Sequence, residues 1–134
     1  MAAAAYRVAL GFVACAACTS IAADARSFEG TRWHVLAVNR HTTPVKGDYT
    51  VGFKDGRISA RFGCNSIGGS YNASGDLLTA HQLISTKMAC GSPADAFEQA
   101  GVGILQVSMK VRPSGKGRLR LSNRVGTLDL EPLP

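Results

Sequence analysis

The chain has 134 residues, with 15 Lys and Arg against 9 Asp and Glu and a net charge of +6. That length allows one domain and leaves no room for a second. No internal repeat or low-complexity tract occurs, and the apolar run near the amino terminus stops short of the about 20 residues that a transmembrane helix needs.

Residues 1–25 read as a secretory signal. Arg7 gives a thin positive region, Val8 to Ala17 an apolar core, and Ala23-Asp24-Ala25 small residues at the two positions a signal peptidase reads. Cleavage after Ala25, releasing a protein that starts at Arg26, is the favoured exit. The other exit is a lipid anchor on Cys18 or Cys15, although neither has the usual leucine at the third residue upstream. The expected location is the periplasm or the medium, with an outer-membrane anchor through Cys18 as the variant. Cleavage takes 25 of the 134 residues and leaves 109. It removes one base, Arg7, and one acid, Asp24, so the net charge stays +6. A domain of that size buries about two-thirds of its unfolded surface, enough for one core with a small margin. A cross-link would widen the margin.

Of the 4 cysteines, Cys15 and Cys18 fall in the signal, which leaves Cys64 and Cys90. An even pair in an exported protein predicts one disulfide, whereas in a cytosolic protein the same pair would be buried thiols. By the chain-entropy model, closing that loop is worth about 3 kcal/mol.

Along the mature chain, Arg26 to Thr31 is a polar leader and Trp33 to Asn39 a strand, while Arg40 to Gly47, with Pro44, is a loop. Tyr49, Val51 and Phe53 then alternate with polar or small residues, Asp55-Gly56 makes a two-residue turn, and Ile58, Ala60 and Phe62 alternate in return. This register puts Phe53 opposite Ile58, Val51 opposite Ala60 and Tyr49 opposite Phe62 on one face. Gly63 to Gly69 reads as a tight corner, Ser70 to Ala73 as a short strand, Ser74 to Asp76 as a turn and Leu77 to Ala80 as the return, continuing irregularly to Thr86. Ser92-Pro93-Ala94-Asp95 starts a helix, with Ser92 as N-cap and Pro93 at the first helical position. Phe97, Gly101, Ile104, Leu105 and Ser108 form its stripe, and Gly101 and Gly103 each weaken it by about 1 kcal/mol relative to Ala. Leu119 and Leu121 pair with Leu128 and Leu130 across a turn of two or four residues between Asn123 and Gly126. Seven or eight short strands with one helix predict a mainly β fold, an antiparallel barrel or strongly curved sheet closed by that helix.

The order Trp33, Asp55-Gly56, Gly63-Cys64-Asn65, Gly69, Tyr71, Thr86 to Cys90, Glu98 and a leucine hairpin resembles the META domain, the family of the HslJ heat-shock lipoproteins, over about residues 28–131. The Gly-Cys-Asn corner and the Thr-x-x-x-Cys segment are the specific parts. The resemblance implies a small β-rich envelope protein linked to stress and antibiotic tolerance, with no catalytic residues to carry over. The glycines that interrupt the helix and the loose basic segment Val111 to Gly117 depart from the family pattern. In turn chemistry, Gly63 permits a bend, Asn65 bonds neighbouring amides as an Asx turn, Gly68-Gly69 allows close strands, and Thr86 bonds the junction tied by Cys64 and Cys90.

Chemistry beyond architecture is thin. His34, His41 and His81 have no spacing that pairs them with a cysteine nucleophile or completes a metal set. Asp48, Asp55, Asp76 and Asp95 read as turn or cap residues. The Gly63 to Gly69 run lacks the ending of a phosphate loop. Asn72-Ala73-Ser74 matches a glycosylation sequon, relevant only in a eukaryotic secretory route. No catalytic residue, metal or cofactor is expected. Lys110, Arg112, Lys116, Arg118, Arg120 and Arg124 occur with no intervening acid. They read either as a solvated hairpin face paired with Asp129 and Glu131 or as a patch for an anionic envelope lipid or protein. Nucleic acid is not expected, because no aromatic residues interleave the bases. The expectation is a monomeric, non-enzymatic envelope stress or maintenance module. The alternatives are a secreted hydrolase inhibitor, using loops 40–47 or 111–117, and a thiol-redox sensor using Cys64 and Cys90.

Overall fold

The computed structural model describes residues 27–134, so the expected signal and the candidate lipidation sites Cys15 and Cys18 lie outside the described residues. Strand β1, Arg32–Val38, turns Trp33, Val35 and Val38 inward. A bulge between Val35 and Ala37 shifts its register against the last strand, and this explains why its apolar residues do not simply alternate. Asn39 and Arg40 then make a two-residue turn at positive φ into β2, His41–Thr42, a pairing inside the segment expected to be a plain loop.

β3, Tyr49–Lys54, and β4, Arg57–Phe62, pair in the expected register, Tyr49 to Phe62, Val51 to Ala60 and Phe53 to Ile58. All six side chains are buried. Asp55 and Gly56 both have positive φ, 53° and 71°, as a type I′ turn requires.

The expected corner from Gly63 to Gly69 is shorter than the glycines suggest. Only Gly63 to Asn65 turn, and β5 already runs Ser66–Ser74. β6, Leu77–Ser85, answers it across a turn at Gly75-Asp76, with a register shift opposite Gly68 to Ser70. Gly69 sits within the strand because its partner crowds it, whereas a Cβ at Gly68 would meet only ordinary contacts.

Helix α1 spans Ala94–Leu105 without interruption. Ser92 is not its cap. Pro93 holds the cap position with no side-chain bond, and the Asp95 carboxylate instead accepts from the N–H groups of Cys90, at 3.2 Å, and Gly91, at 3.0 Å. Gly101, Ile104 and Leu105 are buried, Phe97 packs at the margin, and Ser108 lies beyond the helix, bonded to Thr79. The chain then forms β7, Met109–Pro113, whose last three residues fall in the Val111 to Gly117 segment expected to be loose. Only Met109 and Val111 alternate inward there, too short a pattern to register without the neighbours that bury them. β8, Leu119–Ser122, and β9, Thr127–Pro132, close on a four-residue turn, with Leu119 opposite Leu130 and Leu121 opposite Leu128.

β1 pairs with both β3 and β9, so the antiparallel sheet closes into an eight-strand barrel in the order β1-β3-β4-β5-β6-β7-β8-β9, with β2 appended outside the ring. Closure leaves no free edge in the ring's order of neighbours. Eight strands enclose a space that side chains fill, and here Phe53, Ile58, Leu78, Met109, Leu121 and Leu128 do so. Phe28 closes the Asp55-Gly56 end against Phe53, ring centroids 4.7 Å apart, and α1 closes the Phe62 end.

Candidate functional site

Three chain segments meet where α1 joins the barrel: the corner Gly63 to Asn65, the connection Thr86 to Cys90, and Glu98 on α1. Cys64 and Cys90 form a disulfide there, with Cα atoms 5.8 Å apart, inside the ordinary range. Asn65 is buried, and every polar group of its side chain is used. Its Oδ1 accepts from the Thr86 hydroxyl at 3.0 Å and the Met88 N–H at 2.7 Å. Its Nδ2 donates to the Met88 carbonyl at 3.1 Å and Glu98 Oε2 at 2.7 Å. Its main-chain N–H donates to Glu98 Oε1 at 2.9 Å. Two donors and two acceptors exhaust an amide side chain. Asn65 is therefore a long-range clasp and not the local Asx turn that its glycine neighbours suggest. The Thr86 hydroxyl also accepts from the Ser66 N–H at 3.0 Å.

The other residues of the sequence pattern are architectural. Gly63 has φ 92°, and a Cβ there would fall 2.5 Å from the Tyr49 hydroxyl. A Cβ on Gly69 would collide with the His81 carbonyl. Tyr71 is at the far end, where its hydroxyl donates to Glu29 Oε2 at 2.7 Å. Burial and that carboxylate push the Tyr71 phenol up to about 12. Glu29 also accepts from the N–H groups of Asp55 and Gly56. The Tyr71 hydroxyl, then these backbone donors, hold its carboxyl below the usual range. Sequence reading missed Glu29, because nothing local distinguishes an acid in a leader from one that caps a turn 26 residues on.

An open groove of about 540 Å³ lies beside the clasp, lined by Thr86, Lys87, Met88, Glu98, Val102 and Gln106. Met88 is exposed at its rim. Among the described residues no three His, Cys, Asp or Glu gather as a metal ion requires. His81 faces Asn72 at 3.2 Å, while His34 and His41 lie on β1 and β2.

The six basic residues of the second half are not one patch. Arg120 is bound to Asp129 at 2.7 Å, Arg118 to Glu131 at 3.4 Å and Lys110 to Asp76 at 3.9 Å. The Asp129 bond and charge raise the Arg120 guanidinium further. Arg112, opposite Arg120 in the ladder, Lys116 and Arg124 have no acidic partner among the described residues. The β9 acids are the partners that the hairpin reading expected, whereas Asp76 arrives from the β5–β6 turn, which a linear count of bases cannot see.

The META-domain family model matches residues 26–132. The chain belongs to the META-domain family. This META domain has the fold of a protein solved by NMR, with TM-score 0.66 and 24% identity over 75% of this chain and 87% of that one. It is equally similar to an NMR structure of a protein from Burkholderia xenovorans, with TM-score 0.67 and 22% identity over 81% of this chain and 86% of that one. At such identities the likeness concerns the fold. No curated protein sequence matches the chain.

Proposed function

We propose that this META domain is an exported, non-enzymatic module that serves envelope maintenance under stress by binding an anionic envelope component. The observation that carries this reading is a filled barrel interior under a surface with excess positive charge. Recognition then belongs to the exterior, and long-range attraction favours an anion. The disulfide supports an oxidising compartment. Intact mass and fractionation in the native host test it. The expected form is two hydrogens short of the reduced mass and begins either at Arg26, leaving the envelope fraction as salt rises, or at an acylated Cys18, staying with the membrane. A cytosolic protein with free thiols would overturn it.

A second reading, secreted inhibition of a hydrolase, rests on Val45. This side chain is fully exposed in the connection between β2 and β3, where a rigid scaffold presents it. Val45→Asp would abolish capture of such an enzyme and leave anion binding intact.

A further inference from the structure

A second positive surface lies away from the 110–124 segment, on the outer face of β1, β3, β4 and β5. Arg32, Lys54, Arg57 and Arg61 project there, and of these only Arg61 has an acidic partner among the described residues, Asp48 at 2.8 Å. No two of the four are sequence neighbours; the barrel brings them together.

The face is also recessed. Ladder pairing sets Arg32 beside Gly52, Gly52 beside Ser59 and Ser59 beside Gly68. This row carries only a hydroxymethyl group after Arg32. On one side Thr50 is followed by Arg61 and Ser66, and on the other Lys54 by Arg57 and Ser70. The result is a trough across the strands. With strands about 4.8 Å apart, its four positions span roughly 14 Å. Two cavities open on this face, of about 330 Å³ beside Arg32 and Arg61 and about 390 Å³ beside Arg57 and Ser70. The Arg57 guanidinium lies 3.9 Å from where a Gly68 Cβ would stand, so its donors reach over the floor.

We propose that this trough binds an acidic polysaccharide lying across β1, β3, β4 and β5, with its carboxylate or sulfate groups on Arg32 and Arg57 and its hydroxyls on the Ser and Thr side chains. The proposal rests on the anion-binding reading above and gives it a site and a partner. Guanidinium groups match planar and tetrahedral oxyanions through paired N–H donors. Hydroxyl side chains exchange bonds with sugar hydroxyls. The three rows carry no Phe, Tyr or Trp on which a nucleic acid base could stack. Beyond Gly68 the middle row ends on Ile84, an exposed side chain at the rim of the second cavity, and a lone apolar group is a small foothold in a lipid surface.

The test uses the oxidised protein and a heparin-derived hexasaccharide, read by calorimetry and amide chemical shifts. Binding is expected to move the amides of Gly52, Ser59 and Gly68 and to weaken as salt rises. Arg32→Gln with Arg57→Gln is expected to weaken it by at least about tenfold, the loss of two charge-assisted contacts. Ser59→Trp, which fills the floor at unchanged charge, is expected to do the same. Arg112→Gln with Arg124→Gln is expected to change it less than about twofold. All these positions are exposed, and the amide spectrum reports whether each variant is folded. If only the Arg112 and Arg124 variant loses binding, the trough is overturned and the anion reading survives. Equal binding of neutral maltohexaose would overturn the electrostatic basis. Binding of phosphatidylglycerol vesicles or poly-glutamate instead of the hexasaccharide would overturn the partner. Binding of no anion removes both readings.

Discussion

Asn65 and Glu98, 33 residues apart, are joined by two hydrogen bonds, main-chain N–H to Oε1 at 2.9 Å and side-chain Nδ2 to Oε2 at 2.7 Å. The pair ties the barrel corner to the helix that closes it. Removing the amide leaves the Met88 N–H and carbonyl without their partner. Asn65→Ala is expected to lower unfolding free energy by about 1–2 kcal/mol in urea titrations, the cost of losing several partly buried hydrogen bonds. Asn65→Asp is expected to be no better at neutral pH, because it sets a second carboxylate against Glu98.

Gly101 and Gly103 lie two residues apart on α1 and predict opposite outcomes. A Cβ at Gly101 would sit 2.5 Å from the Phe62 ring, which is itself fully buried. Gly101→Ala is expected to destabilise by about 1–3 kcal/mol despite its helix propensity. A Cβ at Gly103 would meet only Val125, at 3.6 Å, an ordinary contact. Gly103→Ala is expected to stabilise by up to about 1 kcal/mol. Thermal unfolding of the two variants side by side decides the matter.

Replacing Cys64 and Cys90 together by Ala is expected to cost about 3 kcal/mol through the freed denatured chain. The Asn65 clasp bonds the same segments independently, so the native amide spectrum is expected to persist in the variant. Collapse of that spectrum would show that the disulfide, and not the clasp, holds the junction.

Glu29 and Tyr71 give opposite limbs of a pH profile. The Glu29 carboxyl is depressed from 4.5 in the folded state. Its contribution is therefore present above that value and lost as pH falls through the lower folded one. The Tyr71 phenol is raised from 10.0 to about 12. Its contribution is present below pH 10 and is lost as pH rises towards 12. Glu29→Gln is expected to flatten the acid limb in pH-dependent unfolding. It is also expected to lower the Tyr71 titration seen by phenolate absorbance, while burial still holds it above 10.0.

Much of the barrel was legible in residues 49–62, where a two-residue turn and strict alternation admit a single register, and in 119–130, where alternating leucines marked a hairpin but left its turn at two or four residues. The family pattern was legible too, in Gly63-Cys64-Asn65 and the Thr86 to Cys90 segment. β7 was not, since two inward residues in Met109–Pro113 carry too little periodicity. Ser92 made a plausible cap on paper, but the helix has no side-chain cap and Asp95 instead ties the Cys90-Gly91 segment that precedes it.

Period-2 patterning, turn chemistry and the cysteine pair are local properties, so the sequence alone determined a β-rich chain, its central hairpins and the pairing of Cys64 with Cys90. Closure of β1 on β9, the embrace of Asn65 by Thr86, Met88 and Glu98, and the pairing of Lys110 with Asp76 were decided only in three dimensions. Each depends on which distant strand lies alongside. The same holds for the cations that share one outer face, because neighbourhood across a sheet follows register and not distance along the chain.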